Sequence, residues 1–482
     1  MLNTRMVVNI LGFLLIIEGL FMFLSIPVSL LYGEGDFVIF LLSGGITILI
    51  GGVSYFFSRN AEKNIYRREG YIIVSMGWIL FSLFGTLPFI LSGSIPSMAG
   101  AFFETMSGFT TTGATILDDI EALSHGMLFW RSITQWIGGM GIIVLSLAIL
   151  PLLGIGGMQL FIAEVPGVTY DKLHPRIRGT AARLWLIYII FTFAETVLLW
   201  IGGMDIFDAV CHSFTTMSTG GYSTKNASIA YWDSPFIQYV IIIFMIIAGT
   251  NFTISYFALH LRFDKVYRNE EFRYYLGFIL LFTFIIGTGL IFSLNLKPEE
   301  SFRVSLFQVV SILTTTGYVT YDYLSWISIL GVLILFLMFF GGSAGSTSGG
   351  VKIMRVVVLI KNSALELKRL IHPNAVIPVR FNNQLLDTQL ITNVLAFISF
   401  YLIIIVISML GMSALGYDLD TSLGSVIACI GNIGPGIGGV GPMNNYNHIP
   451  DIGKWFLSLL MLIGRLELFT VLVLFSPEFW RK

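Results

Sequence analysis

Charge is what this sequence of 482 residues has least of: Asp, Glu, Lys and Arg together make up 11% of it. An ordinary soluble domain carries about 25%. Apolar types reach 55% and the mean hydropathy is +0.84, more apolar matter than a water-soluble globule of this length could hide, so that class is excluded. The net charge of −1 excludes an electrostatic nucleic-acid binder. Two cysteines, Cys211 and Cys429, both in apolar stretches, cannot build a disulfide framework. The six histidines (His125, His174, His212, His260, His372, His448) are scattered without metal-ligand spacing. No nucleophile motif is present. Catalysis and covalent cofactors are therefore not expected.

What the sequence has is long apolar runs. The expected spans are 9–31, 37–57, 71–91, 126–150, 180–202, 234–260, 273–294, 324–340 (continuing after a break), 386–411 and 453–475, about ten crossings of a bilayer. The first run lacks a small-residue cleavage site and reads as a retained span. An even number of crossings places both termini on one side. Loops 58–70, 171–183, 261–273 and 352–380, with the two ends, hold most of the 27 basic residues. The alternate loops are acidic, with Glu34 and Asp36, then Asp118, Asp119 and Glu121, then Asp205, Asp208 and Asp233, then Asp418, Asp420 and Asp451. Basic loops stay in the cytoplasm, so both termini are expected there.

Four outer connections share a pattern: a span outward, a short semi-apolar segment, a small-polar stretch with glycine, and a span back. The stretches are Thr110-Thr111-Thr112-Gly113-Ala114-Thr115, Met217-Ser218-Thr219-Gly220-Gly221-Tyr222, Thr314-Thr315-Thr316-Gly317-Tyr318 and Gly431-Asn432-Ile433-Gly434-Pro435-Gly436. Taking Gly113, Gly220, Gly317 and Gly434 as reference points, they recur about every hundred residues, a fold-level repeat. The unit matches the pore module of potassium channels, and four copies in one chain would surround an axis. Acids open the second, third and fourth short segments (Asp205 and Asp208; Glu299 and Glu300; Asp418 and Asp420), and Ser97 opens the first. Each segment would be a short helix with its negative C-terminal end toward the axis, which favours a cation there.

A cation leaving water needs replacement oxygens, and carbonyl rings supply them. Glycine permits the dihedrals, and Thr or Ser adds hydroxyls. Uncharged oxygens suit a monovalent ion. A lone Thr-Thr-Gly in a membrane protein is usually a packing feature; four in one topological slot are not. Only three copies have Thr before glycine, the fourth having Asn432-Ile433, so the ring is expected to be short and imperfectly symmetric.

Two further segments complete a recognisable pattern: Phe340-Gly341-Gly342-Ser343-Ala344-Gly345-Ser346-Thr347-Ser348-Gly349-Gly350-Val351-Lys352, and Gly464-Arg465-Leu466-Glu467 with Pro477-Glu478-Phe479-Trp480. With the four glycine stretches, the chain resembles the TrkH/TrkG potassium-uptake proteins of the Trk/Ktr/HKT superfamily over nearly its whole length. The resemblance implies an all-α membrane protein with four pseudo-repeats of helix, pore loop and helix around a central pore, plus an N-terminal two-helix unit. The units are expected at 1–70, 71–151, 152–260, 261–370 and 371–482. It implies a K⁺ filter of Thr111, Thr112 and Gly113; Ser218, Thr219 and Gly220; Thr315, Thr316 and Gly317; and Asn432, Ile433 and Gly434. K⁺ would be the transported ion. It also implies a bacterial inner-membrane location, a homodimer, and a cytosolic nucleotide-binding regulator of the TrkA kind.

The run Gly341 to Gly350 cannot be a stable straight helix. It could be a small-residue helix contact. It is not a phosphate loop, because Val351 stands where Lys is required. Read with the resemblance, it is a mobile loop below the filter that obstructs the path and moves to open it. Arg465 sits mid-span, where a charge needs a cavity or a partner. It faces the pore or makes an internal pair; the pore-facing reading is preferred because Glu467, two residues on, faces another way on a helix. Coupled K⁺–H⁺ or K⁺–Na⁺ symport is the alternative function. A membrane-embedded transferase for a lipid-linked substrate would need a clustered Asp/His loop that the sequence lacks.

Overall fold

The computed structural model describes residues 2–60, 66–141 and 177–481, side chains excepted at 177–181. Residues 142–150 of the expected span 126–150, the boundary at 151, His174, and parts of the basic loops 58–70 and 171–183 lie outside the described residues.

The first unit is a helical hairpin, Thr4–Met22 continued by Ser25–Leu31, against Phe37–Phe57. Its seam is made of glycine. Gly12 faces Gly51 and Gly19 faces Gly44, each so close that a Cβ would fall 2.7 to 2.9 Å from the opposite carbonyl oxygen. With lipid outside as apolar as the side chains, close backbone approach is what holds such helices together.

Four units of one plan follow, each an outer helix, a short helix and an inner helix. The outer helices are Arg67–Gly85, Ile177–Ile201, Glu270–Leu294 and Thr388–Ala414. The short ones are Met98–Phe109, Ile206–Met217, Pro298–Leu313 and Leu419–Ile430. The inner ones are His125–Gly139, Pro235–Ala248, Ser328–Leu337 and Asp451–Arg465. The outer helices present Phe284, Phe292, Ile407 and Leu410 outward, exposed, as a lipid-facing surface requires. Beyond their opening turns the short helices are mostly buried. Their starts are capped as the sequence indicates: Ser97, Asp205 and Asp418 accept backbone N–H groups of the first turn, and Pro298 with Glu299 and Glu300 opens the third. The Thr421 hydroxyl beside Asp418 holds its carboxyl below the usual range, so that cap is an anion at the positive helix end.

Among the described residues, six helices are long and apolar enough to cross a membrane, or eight if two bent pairs count as one span each. Those pairs correct the sequence reading. The expected spans 234–260 and 453–475 are not straight: Pro235–Ala248 and Phe252–Leu259 meet at 112°, and Asp451–Arg465 and Leu468–Phe475 at 118°. Asn251 caps the continuing helix through Thr253 N–H, and Glu467 takes φ 57°. The inner helix of the third unit stops at Leu337 and resumes as Ile353–Ile371. Hydropathy counts apolar residues and is blind to direction, so only the break rich in glycine and serine was legible.

Both ends of the described chain reach the first turn of Arg67–Gly85. Asn3 N–H donates to Glu69 Oε1 at 3.0 Å, and Arg68 Nη1 donates to the Arg481 carbonyl at 2.8 Å. His125 Nδ1 meets Glu34 at 2.8 Å at the other end of the hairpin.

Candidate functional site

Each short helix ends in the same three-residue device. After the cap residues Thr110, Ser218, Thr314 and Gly431, the next residue is left-handed in every unit. These are Thr111 (φ 55°), Thr219 (55°), Thr315 (58°) and Asn432 (53°). A β-branched residue there is a conformational outlier costing roughly 1 kcal/mol or more. Three such threonines in equivalent places mark a site that the rest of the fold must hold. The following residues, Thr112, Gly220, Thr316 and Ile433, send their N–H groups back to Ser107, Thr215, Ser311 and Ala428 at 2.8 to 2.9 Å. Then comes a glycine with positive φ: Gly113 (81°), Gly221 (73°), Gly317 (80°) and Gly434 (95°).

This register moves the second unit by one residue relative to the sequence alignment. Gly221, not Gly220, is the counterpart of Gly113, Gly317 and Gly434. Ser218 is a helix cap, and Gly220 stands level with Thr112. The Gly-Gly pair let the alignment stop one residue early, since only φ distinguishes the two.

The four devices close on one another in a cycle. A Cβ on Gly113 would fall 2.1 Å from the Gly220 oxygen. One on Gly221 would fall 1.9 Å from that of Thr316, one on Gly317 1.9 Å from that of Ile433, and one on Gly434 2.7 Å from that of Thr112. Every glycine is thus pressed against the preceding-level carbonyl of the next unit, and the fourth unit returns to the first. The four reference segments encircle a common centre. Alternating signs of φ turn neighbouring peptide dipoles to one side.

Tyrosines brace the ring from behind. Tyr222 donates to the Glu104 carbonyl at 2.7 Å, Tyr318 to the His212 carbonyl at 3.1 Å, and Tyr446 to the Gly434 carbonyl at 2.8 Å. Glu104 and Arg131 form a fully buried ion pair at 2.8 Å. Arg131 also donates to the Ser223 carbonyl at 3.1 Å and lies 3.9 Å over the Tyr222 ring. Lys454 is buried and is not part of that pair.

The segment 341–350 lies against this ring. Gly349 N–H donates to Thr315 Oγ1 at 2.7 Å, and Thr347 Oγ1 donates to the Met217 carbonyl at 3.1 Å. Ser343 N–H reaches the Gly249 carbonyl at 2.8 Å, and Ala344 N–H reaches Glu271 Oε1 at 2.7 Å. Gly341, Gly342, Ser343, Thr347, Ser348 and Gly349 are buried, Ala344, Ser346 and Gly350 partly so, and Gly345 is exposed. It is thus a packed segment joined to three units.

Of the two roles that the sequence left open for Arg465, the observed contacts are those of the internal one, with carbonyls rather than with Glu467. Its guanidinium donates to the Thr347 carbonyl at 2.6 Å, and to the Gly138 and Gly139 carbonyls at 2.6 and 2.8 Å. These are internal partners, and one of them is the 341–350 segment. Glu467 instead pairs with Arg355. Sequence reasoning missed Gly221, the bracing tyrosines, Asn251 and Glu271. Only the Tyr after glycine in the second and third stretches offered a signal.

A family model described as TrkH, cation transport protein, matches residues 38–482. The Trk system potassium uptake protein TrkH of Escherichia coli (strain K12) is 42% identical, the match covering 100% of both chains. The Trk system potassium uptake protein TrkG of the same organism is 36% identical, covering 100% of this chain and 99% of that one. The crystal structure of the potassium transporter TrkH from Vibrio parahaemolyticus matches with a TM-score of 0.89 at 38% identity, covering 100% of both chains.

Proposed function

This chain belongs to the TrkH family of cation transport proteins, and from that premise we propose that it takes up K⁺ across the bacterial inner membrane through a gated, K⁺-selective four-repeat pore. The observation that carries the reading is the cyclic closure of the four glycine devices, Gly113, Gly221, Gly317 and Gly434, each against a neighbour's carbonyl. Thr111, Thr112, Thr219, Gly220, Thr315, Thr316, Asn432 and Ile433 complete the filter, with Ser218 at its base. Carbonyl and hydroxyl oxygens replace the water a K⁺ ion sheds, and four helix C-termini converging on the ring make the centre electrically favourable for a cation.

The segment 341–350 is the gate. In this conformation its Gly349 N–H occupies Thr315 Oγ1, and Arg465 holds its Thr347 carbonyl. Opening requires those bonds to break. Units at 1–70, 71–151, 152–260, 261–370 and 371–482 describe the organisation. The basic loops and both termini face the cytoplasm. The chain works as a homodimer with a cytosolic nucleotide-binding regulator of the TrkA kind, whose natural handle is the basic helix Ile353–Ile371 that continues from the gate.

Flux into proteoliposomes tests the reading. K⁺ or ⁸⁶Rb⁺ should enter at a rate well above Na⁺; equal rates remove the selectivity claim. Arg465→Ala, and shortening of Ser343–Ser348, should each raise flux, and unchanged flux in both removes the gate. One observation favours symport as a second reading: Glu18, inside a span, is completely buried and its carboxylate finds no hydrogen-bond partner among the described residues. A reversal potential that shifts with pH at fixed K⁺ would support proton coupling.

A further inference from the structure

Of the four residues at the middle level of the ring, one has no side chain. Thr112 is fastened behind the ring: its Oγ1 shares a hydrogen bond with Thr110 Oγ1 at 2.8 Å and accepts one from Asn432 Nδ2 at 2.9 Å. Thr316 Oγ1 meets Thr314 Oγ1 at 2.8 Å. Ile433 is completely buried. Gly220 has nothing of its own to fasten, and glycine is the residue whose peptide rotates most freely.

The space that a side chain on Gly220 would fill is taken by Gln135, from the inner helix of the first unit. A Cβ on Gly220 would fall 2.3 Å from the Gln135 Cδ. Gln135 is completely buried and uses both ends of its amide. Nε2 donates to the Gly220 carbonyl at 2.8 Å, and Oε1 accepts the Tyr222 N–H at 3.0 Å. The amide has one chemically possible orientation, because a backbone N–H can only donate and a carbonyl can only accept. The clamp spans the two residues on either side of Gly221 and fixes the peptides that flank it.

We infer that Gln135 is a specificity-determining positioning residue, which holds the Gly220 carbonyl at the distance a K⁺ ion needs. The inference rests on the K⁺-conduction reading. Selectivity depends on how many carbonyl dipoles face the ion and on how far they can close on a smaller one. Three middle-level residues resist closure through their own side chains. The fourth would swing inward on Na⁺ if Gln135 did not hold it. The hydrogen bond uses one lone pair of the Gly220 oxygen and leaves the other for the ion.

The test uses the full chain in proteoliposomes, with K⁺ and Na⁺ uptake measured under matched gradients. Gln135→Glu keeps the shape and the acceptor for Tyr222 N–H but sets an oxygen against the Gly220 carbonyl. Gln135→Leu removes both bonds. Each should lower the K⁺ over Na⁺ flux ratio by roughly fivefold, the weight of one neutral hydrogen bond, while eluting as a folded protein. A filler with no part in selectivity would change total flux or stability and leave the ratio alone. Should Gln135→Leu not fold, the near-isosteric Gln135→Glu decides by itself. A wild-type ratio in the folded variants overturns the inference. A ratio near one in the unaltered chain would instead remove the K⁺-conduction reading on which it stands.

Discussion

Glycine at position 221 and glycine at position 220 are chemically identical, and the backbone gives them opposite duties. Gly221 takes φ 73° and is packed against the Thr316 oxygen; Gly220 supplies an oxygen to its neighbour. Gly221→Ser should therefore lower K⁺ over Na⁺ discrimination as strongly as Gly113→Ser, because each places a side chain inside a carbonyl's contact distance and at a φ that disfavours it. The flux ratio in proteoliposomes checks this, and a silent Gly221→Ser would place the filter register elsewhere. Behind the ring, Glu104 and Arg131 are buried and hold each other's charge, with the Thr115 hydroxyl and Ile116 N–H on the carboxylate and the Ser223 carbonyl and Tyr222 ring on the guanidinium. Arg131→Met leaves the carboxylate to the Thr115 hydroxyl and the Ile116 N–H. Breaking a buried pair from one side costs about 3 kcal/mol or more. Thermal unfolding of the detergent-solubilised protein should fall accordingly, while the same change at the exposed Arg59 should not move it.

At the scale of elements, the inner helices carry the main lesson. All four end near the level where the short helices end, and only the third break was visible in the sequence. Gly341 to Gly350 is too rich in glycine and serine to be helix. The turns at Gly249-Thr250-Asn251 and at Glu467 lie inside apolar stretches whose hydropathy is that of a continuous span. Those breaks free carbonyls for use: Ala248 and Gly249 receive the 341–350 segment, and Gly138 and Gly139 receive Arg465. Gly349 fits between these parts with no room to spare, since a Cβ there would fall 2.5 Å from the Gly431 oxygen and 2.8 Å from Asn432 Cβ. Gly349→Ala should push the segment off the ring and raise K⁺ flux several-fold, with the Gly349–Thr315 hydrogen bond lost (worth roughly 1 kcal/mol). Lowered flux in a folded Gly349→Ala protein would count against the proposed gate.

For the whole molecule, hydropathy and the distribution of basic residues set the class and the proposed orientation. The hairpin of Thr4–Met22 and Phe37–Phe57 and the turn at Arg68 bring both chain ends to one face. Single cysteines placed beside Asn3 and Arg481 should react with a membrane-impermeant thiol reagent only after the cell membrane is opened, whereas one beside Asp118 should react in intact cells. The opposite pattern would invert the proposed topology.

Sequence by itself determined that this chain lives in a bilayer, that it repeats one plan four times, and that each copy carries a small-polar stretch with glycine, because apolar content, repetition and residue chemistry are additive along the chain. Tertiary structure alone decided which glycine of a pair faces its neighbour, where apolar helices turn, and that Gln135 from one unit serves the backbone of another. Those are matters of direction and of contacts between residues far apart in the chain, and a linear pattern carries neither.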